Sequence, residues 1–279
     1  MAWRTLAVTL ACLLALGLVP GQAAAERRCE AAADRLRADP MPPPPLLPPP
    51  PMPYRLTEIT VPIWVHVITD GRRGAPAAAV AGQMETLRDA YSGKFGGADT
   101  KIRFALQGVT RTANPAWFRD PLGHEKVMKS TLRRGGPDTL NLYIAQLSEL
   151  VLGFSTYPHW YSGNPPVDGV VIDWRSLPGG PLRNFDRGFT GVHEIGHWLG
   201  LLHTFENGCA EPGDGVEDTP PQGRPTDGCP DSKDTCPQPG EDPIHNFMDY
   251  SHDRCMREFT EGQAARMHQM WAAYRIPKT

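Results

Sequence analysis

The chain has 279 residues, 40% of them hydrophobic, enough for one domain with a sizeable core plus additional segments. Twenty-eight basic side chains stand against 31 acidic ones, a net charge of -3. That balance, with no basic cluster interleaved with aromatics, argues against nucleic acid and against an anionic membrane surface as partners.

Residues 1–25 read as a secretory signal. Arg4 gives the positive start, Leu6 to Val19 the apolar run, and Ala23-Ala24-Ala25 an A-x-A cleavage site. The run is short for a spanning helix and ends at Pro20-Gly21. The mature chain is therefore expected to begin at Glu26, to be exported without a membrane anchor, and to meet conditions in which disulfides persist. Residues 26–53 form a charged leader and then a proline tract from Pro40 to Pro53, an extended spacer with no core of its own. A ligand for a proline-recognition module is the other reading of that tract.

The globular domain is expected over residues 54–279. Ile59 to Ile68 is rich in β-branched and aromatic residues and reads as a strand. Pro76 to Tyr91 sets Val80, Met84, Leu87 and Tyr91 at helical spacing. Lys101 to Val109 alternates, with Ile102, Phe104 and Leu106 on one face, and Leu140 to Ile144 repeats that pattern. Gly169 to Asp173 reads as a short buried strand, and a helix is expected over about 187–200. Residues 206 to 246 are dense in Gly, Pro, Asp and Cys, too long for an ordinary loop, so disulfides or metal must hold them. Cys209, Cys229, Cys236 and Cys255 allow three connectivities; Cys12 leaves with the signal and Cys29 is left over. Thr260-Glu261-Gly262-Gln263 is a capping-box pattern opening a last helix, with Ala264, Met267, Trp271 and Tyr274 as its apolar stripe. The order implies an α+β fold: a twisted mixed sheet with helices on one side, and a cleft between two unequal subdomains, the smaller and irregular one over 204–279.

The chemistry is concentrated in the expected helix. His193-Glu194-Ile195-Gly196-His197-Trp198-Leu199-Gly200-Leu201-Leu202-His203 reads H-E-x-x-H-x-x-G-x-x-H. His193 and His197, four apart, share one helix face; Gly200 lets the chain turn, and His203 follows three residues later. Three neutral imidazoles suit zinc and leave a fourth position open for water. Zinc lowers the pKa of such a water to about 7. Glu194, beside the first ligand, is placed to take a proton from it and to pass it to a leaving nitrogen. The extended string is specific; H-E-x-x-H alone would also suit an ordinary histidine pair on a helix.

With these residues the chain resembles the pappalysin-family metzincins, and among them the short ulilysin-like members. The resemblance is carried by HEIGHWLGLLHTF (193–205), GDGVEDTP (213–220), DPIHNFMDYSHDRCMREFT (242–260), RRGGPDTLNLYIA (133–145) and DGVVID (168–173), and spans about Tyr54 to Met270. It implies a metzincin catalytic domain divided by the zinc helix. Met248, in M-D-Y, 45 residues after His203, would form the Met-turn beneath the metal. Tyr250 would donate a hydrogen bond to the developing oxyanion. The resemblance also implies disulfides pairing Cys209 with Cys236 and Cys229 with Cys255, and a structural calcium ion at Asp214, Asp218 and Thr219. It implies that the DGVVID strand edges the cleft and pairs with substrate. Cys29 would be a latency ligand, its thiolate occupying the open zinc position in a proenzyme.

These readings lead to a secreted zinc endopeptidase acting as a monomer on protein or peptide substrates. A catalytically idle zinc-containing binding or toxin-like module is the rival from another class, and a zinc amidase shares the chemistry with a different cleft.

Overall fold

Five strands form one sheet in a computed structural model that describes residues 55–148 and 151–277. The expected signal, leader, proline tract and Cys29 lie outside the described residues. In chain order the elements are β1 (Ile59–Thr69), α1 (Ala77–Tyr91), β2 (Ile102–Ala113), α2 (Pro115–Arg119), α3 (Glu125–Leu132), β3 (Leu140–Ala145), β4 (Gly153–Ser155), β5 (Val170–Asp173), α4 (Phe189–Trp198) and α5 (Glu261–Tyr274). Among the described residues no helix is long and apolar enough to cross a membrane.

The strand order is β2-β1-β3-β5-β4. The first four strands of that order pair in parallel, and β4 runs antiparallel on the end. Parallel strands covered on both faces read as near-continuous apolar runs, as β1, β3 and β5 do. Their side chains divide by alternation. Val61, Ile63, Val65, Leu142 and Ile172 face the core shared with α1 and α4, whereas Ile68, Tyr143 and Val171 face a second cluster containing Phe118 of α2 and Met128 of α3.

Two expectations are corrected here. Helices cover both faces of the sheet, because the short α2 and α3 bury Phe118 and Met128 on the side opposite α1. The DGVVID strand is not the edge: β5 lies between β3 and β4, and the edge beside the cleft is Gly153–Ser155. A three-residue strand opening with glycine carries almost no periodicity to detect. Leu106 keeps the face of Ile102 and Phe104, in register with Ile63, and is 47% exposed because β2 is the edge strand; the bulge follows it and sets Gly108 opposite Trp64.

A buried ionic cluster joins the ends of several elements. Arg275, just past α5, donates to Asp168 at 2.9 Å and to the Trp198 carbonyl at 3.0 Å, and its guanidinium stacks 3.8 Å from the centre of the Trp198 ring. Asp168 also accepts from Trp198 Nε1 and from Thr156 Oγ1.

Candidate active site

Helix α4 is set by contacts at both ends. Gly188, at φ 81°, precedes it; a side chain there would press on Gln83 and Pro178. Three polar side chains of α1 hold the helix start: Gln83 donates to the Gly188 carbonyl, Thr86 to that of Arg187 and Tyr91 to that of Val192. The sequence signal for this was a polar Gln83 within the buried stripe of α1. At the far end Gly200 N donates to the His197 carbonyl and Leu201 N to that of Gly196, a Schellman termination. Gly200 has φ 101°, which favours glycine, and a side chain there would also strike Met270. This turn brings His203 back toward the helix.

His193, His197 and His203 are buried and face one another. The Nε2 atom of His197 lies 3.1 Å from that of His193 and 3.3 Å from that of His203. Nδ1 of His193 meets the Phe247 carbonyl at 2.7 Å, and Nδ1 of His197 meets that of Leu201 at 2.8 Å. A carbonyl only accepts, so both Nδ1 atoms carry the proton and both Nε2 atoms present lone pairs. Lone pairs converging in a buried space repel unless a cation lies between them, which is the arrangement a metal requires. Burial pulls His193 down to about 4, and His197 and His203 well below the usual range for histidine, with mutual repulsion adding to burial in the last two. All three are thus neutral ligands near pH 7.

Glu194 is 1% exposed, and burial raises its carboxyl well above the usual range. Its Oε2 has no hydrogen-bond partner among the described residues. Tyr250, half-buried, places its ring 4.9 Å from that of His203 and 5.8 Å from that of His193. Burial first, then the nearby carboxylates of Glu194, Asp249 and Glu206, keep its hydroxyl protonated. Met248 is fully buried beneath α4: a side chain on Gly196 would come within 2.5 Å of its sulfur. A cavity beside the histidines is lined by Leu152, Phe189, Glu194, Tyr250, Asp253 and Met256, among others.

The irregular segment is held by Cys209–Cys236 and Cys229–Cys255, the pairing the resemblance implies. Asp214 and Thr219 are together, the hydroxyl donating to Asp214 Oδ1 at 2.7 Å, and burial pushes Asp214 up to about 7. Asp218 turns to the start of α5 and accepts from Gly262 N at 2.8 Å.

The peptidase M43 family model, described as pregnancy-associated plasma protein-A, matches residues 141–272. An extracellular metalloprotease of Arthroderma benhamiae is 43% identical over 226 residues, covering 78% of this chain and 74% of that protein. This chain belongs to the peptidase M43, or pappalysin, family. An extracellular metalloprotease of Neurospora crassa is 42% identical over 232 residues, covering 78% of this chain and 76% of that protein. Among solved structures, mature mirolysin of Tannerella forsythia in complex with a cleaved peptide matches with a TM-score of 0.66 and 28% identity, covering 78% of this chain and 93% of that one. The M43 membership and the fold match make the chain a metzincin and a zinc metalloendopeptidase, and His193, His197 and His203 form a cluster that could hold the metal.

Proposed function

We propose that this pappalysin-type enzyme is secreted and cleaves peptide bonds with Glu194 as general base. The observation that carries the reading is the buried, unpartnered Glu194 Oε2 beside the His193 ligand, in the wall of the cavity. A buried carboxylate oxygen without a partner is costly, and a raised proton affinity suits it to accept a proton and return it. His193, His197 and His203 would hold zinc through their Nε2 atoms, and the bound metal would act as a Lewis acid, lowering the pKa of water toward about 7. Glu194 takes the proton of the attacking water and delivers it to the leaving amine. Tyr250, kept protonated, donates to the oxyanion of the tetrahedral intermediate. Met248 forms the apolar floor under the helix, and Gly200 the turn that delivers His203. The outer edge of β4 has no strand partner among the described residues, so an extended peptide would add there and lie across the centre.

Glu194→Ala tests this. It is expected to lower turnover of a denatured protein by about 10²–10⁴-fold while one zinc per chain remains bound. A wild-type protein that cuts no denatured substrate, with a Glu194→Ala variant keeping its biological effect, would instead identify a zinc-containing binding module.

Three finer readings accompany it. Residues 1–25 are a cleaved signal, consistent with relatives named extracellular, and the secreted chain should begin at Glu26. Cys29 keeps the precursor latent through its thiolate, so Cys29→Ala precursor should be active without processing; silence equal to that of the intact precursor refutes it. Calcium is held near Asp214 and Thr219, with Asp218 close in sequence; the support is Asp214 Oδ2, buried with no partner among the described residues. Added calcium should raise the melting temperature of chelator-treated protein, and no shift would remove the ion from the account.

A further inference from the structure

Strand β4 reaches the active site through Gly153. This glycine is not in the left-handed region, so its backbone conformation admits any residue. What requires glycine is space. A Cβ built at position 153 would lie 2.6 Å from Cγ of Glu194, 2.9 Å from its Oε1 and 3.0 Å from its Cδ. Carbon atoms settle at about 3.5–4.0 Å, so the two side chains could coexist only after a shift of about 1 Å. Glu194 is buried, and the space open to its side chain is the cavity it lines, so yielding to a methyl at position 153 means moving the carboxyl within the site. The strand has little freedom to retreat. Phe154, the next residue, is buried on the opposite face with Phe118, Met128 and Val171, and Gly153 is in register with Ile172 of β5.

We propose that Gly153 is a positioning residue for the general base. Its missing side chain sets where the Glu194 carboxyl comes to rest, and it does so from the same strand along which substrate would pair. Base and substrate backbone thereby take their positions from one three-residue segment, and their separation is fixed without any contact between them. This inference rests on Glu194 acting as the base.

The test is a double-mutant cycle on the zinc-loaded enzyme, read by kcat and KM separately, with zinc content and melting temperature measured on each protein. Gly153→Ala is expected to lower kcat about 100-fold, the scale of a 1 Å misplacement, with KM within about twofold and one zinc retained. Glu194→Ala removes Cγ, Cδ and both oxygens, the atoms the added methyl would strike, and leaves a residual rate on which to read the second substitution. In that background the Gly153→Ala penalty should shrink to less than about fivefold, measured under single turnover. A penalty equal in both backgrounds, as general misfolding would give, overturns the inference, and so does a change confined to KM. If Glu194→Gln retains full activity, it is the assignment of the base that fails. If Glu194→Gln is inactive while Gly153→Ala matches wild type, only the role of Gly153 fails.

Discussion

Asp253 shows how a single side chain near the cleft should make stability depend on pH. It is 2% exposed, lines the cavity beside the zinc site and accepts from Arg187 N at 2.8 Å. Burial outweighs that bond and pushes its carboxyl up to about 7 from an ordinary 3.8. Between those values the folded protein keeps a proton that the unfolded chain has released. Stability therefore falls as pH rises through that window, and the whole loss is present above it. Asp253→Asn removes this dependence while keeping the shape. Its unfolding free energy relative to wild type should rise by on the order of 3 kcal/mol from pH 4 to pH 8, followed by urea denaturation. A constant difference across that range would show that Asp253 does not titrate within it. The zinc ligands illustrate the reverse use of burial: there, lowered proton affinity keeps imidazoles free for a cation.

At the scale of elements, α5 shows what local sequence can specify. The capping box expected from Thr260-Glu261-Gly262-Gln263 is present: Thr260 Oγ1 accepts from Gln263 N, and Gln263 Oε1 from Thr260 N, each at 3.0 Å. Thr260→Ala is expected to cost about 1 kcal/mol. Gln263→Ala should cost more in thermal denaturation, because Gln263 also pairs twice with Asn246, which in turn accepts from Met248 N. Equal losses for the two variants would mean that the helix cap does not steady the turn at Met248. The strands β1, β2, β3 and β5 and the helices α1, α4 and α5 were legible because their pattern lies within one segment. The clustering of His193, His197 and His203 with Glu194 beside them was legible for the same reason, their spacing being set by one helix and one turn. β4 and the closeness of Gly153 to Glu194 were not, since β4 depends on pairing with β5 and Gly153 on a side chain of α4, partners in separate segments that no local period encodes. The roles of Gln83 and Thr86 were not legible either, because the backbone carbonyls they bind belong to a distant segment.

Across the whole molecule, the Arg275 cluster ties the end of the last helix to the catalytic helix and to the segment leading into β5. Arg275→Met leaves the Asp168 carboxylate buried without its cation and should cost about 3–5 kcal/mol in urea denaturation. Asp168→Asn added to Arg275→Met should recover part of that loss; no recovery would mean that packing against Trp198, not charge, dominates. The disulfides have a different consequence for an enzyme that shares its solution with its own active copies. The spans closed by Cys209–Cys236 and Cys229–Cys255 overlap rather than nest or follow one another. Any single backbone cut between Cys209 and Cys255 therefore leaves the two pieces covalently joined. Self-nicked enzyme should migrate as one intact band until a reductant is added, and the irregular stretch most open to self-digestion is the one that can be cut once without losing a fragment.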